Sequence, residues 1–201
     1  MREVTNRQRR NRREDVIEAA IRVFSAKGYA SASIQDVAEE VGVLKGSLYH
    51  YIDSKEDLLA RIFEDSAGQF VAMLEEAVNL DERPLERLRS FAHACSLWYL
   101  QNIERVGIYV DEWQHLTGKR RKEVLRIRAD YEERAETLIG EVVAAGEAAP
   151  ELEINYATYF IFGALNGLPT WYRRRGADSA ERIAEIYAGL IVATVAGAPG
   201  R

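Results

Sequence analysis

The sequence predicts an all-α fold in two parts: a three-helix unit built on a helix-turn-helix, then a larger domain of about six helices. Three observations predict it. Two short amphipathic stretches meet at Gly42 with almost no chain between them. Only four prolines occur in 201 residues, and no Val/Ile/Thr alternation of strand type is visible. Apolar residues recur at helical spacing from Glu14 almost to the C-terminus.

The first helix is expected over Glu14 to Lys27, with Val16, Ala19, Ala20, Val23 and Phe24 on one face and Gly28 ending it. In the second, Ile34, Val37, Ala38 and Val41 stand at i, i+3, i+4 and i+7. Ser33 with Asp36 three residues on is a capping-box start, and Gly42 lets the chain leave the helix sharply. A third helix follows at once. Its Leu44, Leu48 and Ile52 are expected to point inward, which leaves Lys45, Ser47, Tyr49 and His50 as outward donors for phosphates or base edges. That is the arrangement in which a second helix enters the major groove. Ahead of it, residues 1–13 hold six arginines and one glutamate, a segment suited to phosphate or minor-groove contact. By pattern alone, such a helix pair also occurs in helical small-molecule binding proteins with no DNA role, and that alternative stands at this point.

Net charge is −5, yet residues 1–60 carry ten basic and ten acidic side chains, so the acidic excess lies wholly beyond them. Distribution matters more than the sum for nucleic-acid binding. Cys95 is the sole cysteine, which leaves no internal disulfide and fits a reducing cytoplasm. No apolar run of about 18 to 20 residues suggests a membrane span, and no signal peptide is expected.

Beyond Asp53, helices are expected from Ser54 (capped with Asp57) to about Val78, from Pro84 through Trp98, over Ile108 to Leu116, from Lys119 to Ala145, from Ile154 to Trp171, and from Ser179 to Val195. Asp178 with Glu181 is expected to cap the last, and Gly176 to end the one before. The division of labour is expected at residue 53, with DNA binding over 1–53 and ligand binding and dimerisation over 54–201. Eleven aromatic residues fall between Trp98 and Tyr172. Most such rings are core, but tyrosine and tryptophan also need partners for their polar tips, and rings with a few polar groups make an organic ligand site. The candidate lining is Trp98, Tyr109, Glu112, Trp113, Tyr131, Tyr159, Asn166, Trp171 and Arg173, with Gln114 a further polar contact. Phe160, Gly163, Ala164 and Gly167, together with Ile183, Ile186, Tyr187, Leu190, Ile191 and Thr194, form faces one small domain does not use up. They predict a homodimer through the last two helices. Glu112 and His115 are too few ligands for a metal, and no nucleophile set or phosphate-cradling glycine loop appears, so neither metal, cofactor nor enzymatic activity is expected.

The string Gly42-Val43-x-x-Gly46-Ser47-Leu48-Tyr49-x-Tyr51-x-x-Ser54-Lys55-Glu56-x-Leu58, within a stretch covering roughly residues 12–62, resembles the DNA-binding domain of TetR/AcrR-type transcriptional regulators. The resemblance implies nine helices and a dimeric repressor on a palindromic double-stranded operator. It implies that Ser33 and Gln35 face the DNA, that Lys45, Gly46 and Ser47 lie nearest the bases, and that Tyr49, His50 and Lys55 meet phosphates. Leu44 and Ala32 depart from the family's usual hydroxyl residues. The strings Tyr109-Val110-Asp111-Glu112-Trp113-Gln114-His115-Leu116 and Asn166-Gly167-Leu168-Pro169-Thr170-Trp171-Tyr172 are more loosely similar to members that respond to CoA thioesters. They imply a small hydrophobic or acyl-CoA effector that releases the DNA.

Overall fold

The computed structural model describes residues 2–197, with side chains from Arg12 onward. Among the described residues all regular structure is helical: α1 (Arg2–Lys27), α2 (Ile34–Val41), α3 (Lys45–Leu48), α4 (Lys55–Val78), α5 (Pro84–Gln101), α6 (Ile103–Asp111), a 3-10 turn (Trp113–His115), α7 (Gly118–Ala144), α8 (Ile154–Asn166), α9 (Leu168–Trp171) and α10 (Ala180–Ala196). These fall into two compact units. One comprises residues 1–66 and 104–125, the other 67–103 and 126–201.

In the first unit, α1 starts twelve residues earlier than the apolar pattern predicts, at Arg2 rather than Glu14. Nothing between Arg2 and Lys27 breaks a helix, and arginine and glutamine are good helix formers, so the charged segment continues the periodic one. The side chains of Arg2, Arg7, Arg9 and Arg10 lie outside the described residues. Gly28 ends α1 at φ 75°, a left-handed conformation glycine adopts without penalty. Phe24, Val37, Ala38, Leu48, Ile52, Leu58, Leu59 and Ile62 close the core between α1, α2, α3 and the start of α4. Ile108, Leu116 and Val124 complete it from α6, the loop after the 3-10 turn and α7.

Arg105 on α6 is buried and forms ion pairs with Glu18 of α1 and Asp65 of α4. A guanidinium buried in this way is tolerable because its fork is satisfied by carboxylates that still reach water.

Two expectations fail around α6. The gap expected between Trp98 and Ile108 shrinks to Asn102, and the helix after it runs Ile103–Asp111 before tightening into the 3-10 turn. The apolar pattern alone places that helix five residues late.

In the second unit α10 packs along α5, and α8 lies beside α10. Phe70 is ringed by Phe91, Tyr99, Tyr131 and Phe162, with centroids 5.2 to 5.9 Å apart. Each such aromatic pair adds about 0.5 to 1.5 kcal/mol beyond its buried area. Cys95 is wholly buried, and burial pushes its thiol pKa well up, so it behaves as a small core hydrophobe. The helix expected over 154–171 is split in two at Gly167, because Pro169 lacks an N–H and sits in the first turn of α9. Gly176 lies in the following loop rather than at a helix end. Ser179, not Asp178, caps α10: its Oγ accepts from Arg182 N at 3.2 Å, while Asp178 pairs with the Arg182 side chain.

Candidate DNA-binding surface and effector domain

The start of α2 is tied down on all sides. Ser33 Oγ accepts from Asp36 N at 3.2 Å, and Asp36 Oδ2 accepts from Ser33 N at 2.7 Å, which makes the capping box read from the sequence. Lys27 reaches over from α1 to Asp36 Oδ1 at 2.6 Å. This ammonium, and then the Ser33 donors, hold the Asp36 carboxyl at a pKa of about 2. Gly42 then turns the chain at φ 77° and ψ 36°.

Helix α3 is short, with Tyr49 at its C-cap and Tyr51 and Ile52 folding back through N–H bonds to the Leu48 carbonyl. Leu48 and Ile52 are buried as expected, but Leu44 is not: it is 81 % exposed. The inward-facing reading of Leu44 fails because this residue is the N-cap, in extended conformation, and the helical face rule does not extend to it.

Lys45, Gly46, Tyr49 and His50 are exposed, as are Ser33 and Gln35 on α2, and Ser47 is half-buried. Gln35 spends its amide on Glu39, at 2.9 Å. Among the described residues, Lys45, Tyr49 and His50 make no side-chain hydrogen bond, so their donors stand open on this face. Lys55 differs. Its Nζ donates to the Ala30 carbonyl at 3.3 Å and lies 4.2 Å from the Tyr29 ring centroid, and burial lowers its pKa. It holds the α1–α2 turn to the head of α4.

The nine candidate effector residues divide between the two units. Tyr109, Glu112 and Trp113 belong to the first. There Tyr109 packs on Phe63, Arg121 covers the Trp113 ring, and Glu112 Oε1 accepts from Tyr29 N at 3.0 Å. His115 joins this clip, 3.2 Å from Glu112 and with its ring against Tyr29. Nothing in the local sequence points to that contact. Tyr29 and Glu112 are 83 residues apart.

The other six belong to the second unit. Tyr131 is buried in the Phe70 cluster, and Asn166 accepts from the Tyr99 hydroxyl at 3.2 Å. Trp98 donates to Gln69, and Arg173 closes α9 by donating to the Tyr172 and Thr170 carbonyls. Tyr159 and Trp171 are exposed, the latter stacked on Tyr187 of α10. One enclosed space of this unit, of about 10 Å³, lies among Leu88, Phe91, Thr158, Ile161, Phe162 and Ile191. It is the size of a single water.

Residues 16–62 match the bacterial regulatory proteins of the tetR family, and residues 81–195 match the tetracyclin repressor-like C-terminal domain. The chain belongs to the TetR family. Its members are transcription regulators rather than enzymes, and the helix-turn-helix of this TetR-family chain is their DNA-binding domain. It is 24% identical to the HTH-type transcriptional repressor KstR2 of Mycolicibacterium smegmatis, over 98% of this chain and 96% of that one. Among solved structures, it is similar to the TetR family transcriptional regulator PfmR from Thermus thermophilus, with a TM-score of 0.80 and 29% identity over 88% of this chain and 96% of PfmR. It shares its fold, at a TM-score of 0.80 and 24% identity, with AibR in complex with isovaleryl coenzyme A and operator DNA, covering 89% of this chain and 97% of AibR. Among the described residues, no helix is long and apolar enough to cross a membrane.

Proposed function

We propose that this TetR-family chain is a repressor that binds a palindromic operator as a homodimer, and that a small hydrophobic effector, a CoA thioester in first place, releases it. Residues 1–53 would bind DNA, and 54–201 would bind the effector and the second subunit. The open donor face of Lys45, Tyr49 and His50, beside Ser33, Gln35, Gly46 and Ser47, carries the operator half of the reading. Lys55 would add a phosphate contact from the head of α4. Such a regulator works where its operator is, in the cytoplasm.

The effector half is supported by AibR, which shares this fold and was captured with both a CoA thioester and DNA. Tyr131, packed on Phe162 of the wall of the small enclosed space, and Asn166, next to Leu165 of that wall, are the candidates nearest an acyl group seated there, with Trp98 farther out. Tyr159, Trp171 and Arg173, which lie in the same unit, complete the proposed contact set. An acyl chain seated in the small enclosed space would have to part α5, α7, α8 and α10, so its binding would favour a different packing of those helices. Differential affinity of that kind is what shifts an equilibrium.

Titrating a panel of acyl-CoA thioesters with and without operator tests this. A true effector weakens operator binding about 5- to 150-fold, and operator weakens effector binding by the same factor. A panel in which none binds, or binding that leaves operator affinity unchanged, overturns the CoA reading and leaves the operator reading standing.

A further inference from the structure

Leu44 is more exposed than any other large apolar side chain described, and with Tyr49 it is set apart from those on α8 and α10. Tyr156, Tyr159, Phe160, Ile186 and Leu190 share α8 and α10. Leu44 sits instead at the head of α3, beside Lys45 and with Tyr49 one turn on. The fold gains nothing from it. As N-cap it supplies no side-chain hydrogen bond, whereas Ser33 and Ser179 cap α2 and α10. Being exposed, it adds no core.

Its neighbour Gly46 is a second choice that the fold does not ask for. Its φ is not positive, and a Cβ built there would meet nothing within 4 Å, yet glycine weakens a helix. Residues that break local rules without a structural return are expected where a surface meets something else. Here they make the start of α3 low at Gly46 and apolar at Leu44, on the face that carries the open donors.

We infer that Leu44 is a specificity residue that reads thymine, packing its side chain on a C5-methyl group in the major groove while Gly46 lets the helix start come close to the base edges. The thymine methyl is the apolar group that base pairs present in that groove, so it is the one feature an aliphatic side chain recognises without leaving a hydrogen-bonding atom unpaired. The inference rests on the operator reading above and adds a base preference to it.

The test begins by selecting operators from randomised duplex DNA with the full-length protein. Each thymine is then replaced in turn, in both half-sites together, by deoxyuridine, which lacks only the methyl group, and affinity is measured at fixed salt. One thymine per half-site should lose about fourfold on demethylation, the value of burying one methyl-sized group. Leu44→Ser should bind the thymine operator about as weakly as the wild type binds the deoxyuridine one, and should no longer distinguish the two. Circular dichroism should show its helices intact, since the side chain it replaces is exposed.

If no thymine responds, or if Leu44→Ser keeps the same response, the inference is overturned while operator binding stands. If no duplex is selected at all, the operator reading fails first and takes this one with it.

Discussion

Asp36 is held by Lys27 and Ser33 together, and its acidity carries a consequence for stability. Its pKa falls from 3.8 in the free side chain to about 2 in the fold. A carboxyl depressed in this way stabilises the fold above about pH 4, and the contribution is lost as pH falls through about 2. The stability difference between wild type and Asp36→Asn in urea melts should therefore be full at pH 5 and shrink steadily below pH 4. A difference that stays constant from pH 5 to pH 2 would contradict the tie.

On the proposed DNA face, Lys45→Ala should relax preference at one base pair by about 1 to 3 kcal/mol if Lys45 reads a guanine edge. Tyr49→Phe should weaken all sequences alike, as loss of a phosphate contact does. Competition binding with single-base operator variants separates the two patterns. The capping box at Ser33 is legible in the sequence because its partners are three residues apart and the chemistry is local. Leu44 is misplaced by the pattern for the opposite reason, since a face rule holds only within a helix and the helix begins one residue later.

At the scale of elements, the clip between the α1–α2 turn and the segment around the 3-10 turn is the feature that patterning does not reach. Glu112 reads as a polar group awaiting an effector because its stretch is aromatic. Its actual partner, the Tyr29 amide, is distant in sequence and carries no side-chain signature. Helix ends are legible where a local residue decides them, as at Gly28, Gly42 and Pro84. They are missed where a helix simply continues, as in α1, or where Pro169 restarts one within a turn.

The clip has a direct readout. Glu112→Ala removes the acceptor of the Tyr29 N–H, a bond to a charged group worth about 1.5 kcal/mol or more. Hydrogen exchange at the Tyr29 amide should quicken about tenfold, while amides within α10 keep their protection. An unchanged Tyr29 amide would show that the contact contributes nothing to holding the turn.

For the whole molecule the all-helical plan follows from periodicity, but the grouping of residues 104–125 with 1–66, and which apolar faces remain uncovered, do not. On α10, Ile183 and Ile191 are expected on the free face and are in fact buried, while Ile186 and Leu190 stay exposed. On α8, Tyr156, Tyr159 and Phe160 are exposed beside Gly163, where an added Cβ would meet nothing within 4 Å. A single chain therefore has room for a large side chain at position 163. Under the proposed dimer through α8 and α10 that same position faces a second copy, and only close approach by that copy makes it crowded.

Gly163→Trp should thus keep its helical circular dichroism, as should Ile186→Asp combined with Leu190→Asp, while both sediment as monomers. Operator binding should weaken in parallel, because two half-sites on one dimer act at high effective concentration and a lone half-site does not. The dimer must also set its two recognition helices about 34 to 36 Å apart to meet successive major grooves. A selected operator should accordingly lose affinity when one base pair is inserted at its centre. Wild-type protein that sediments as a monomer at micromolar concentration, or variants that stay dimeric, would remove α8 and α10 as the pairing surface.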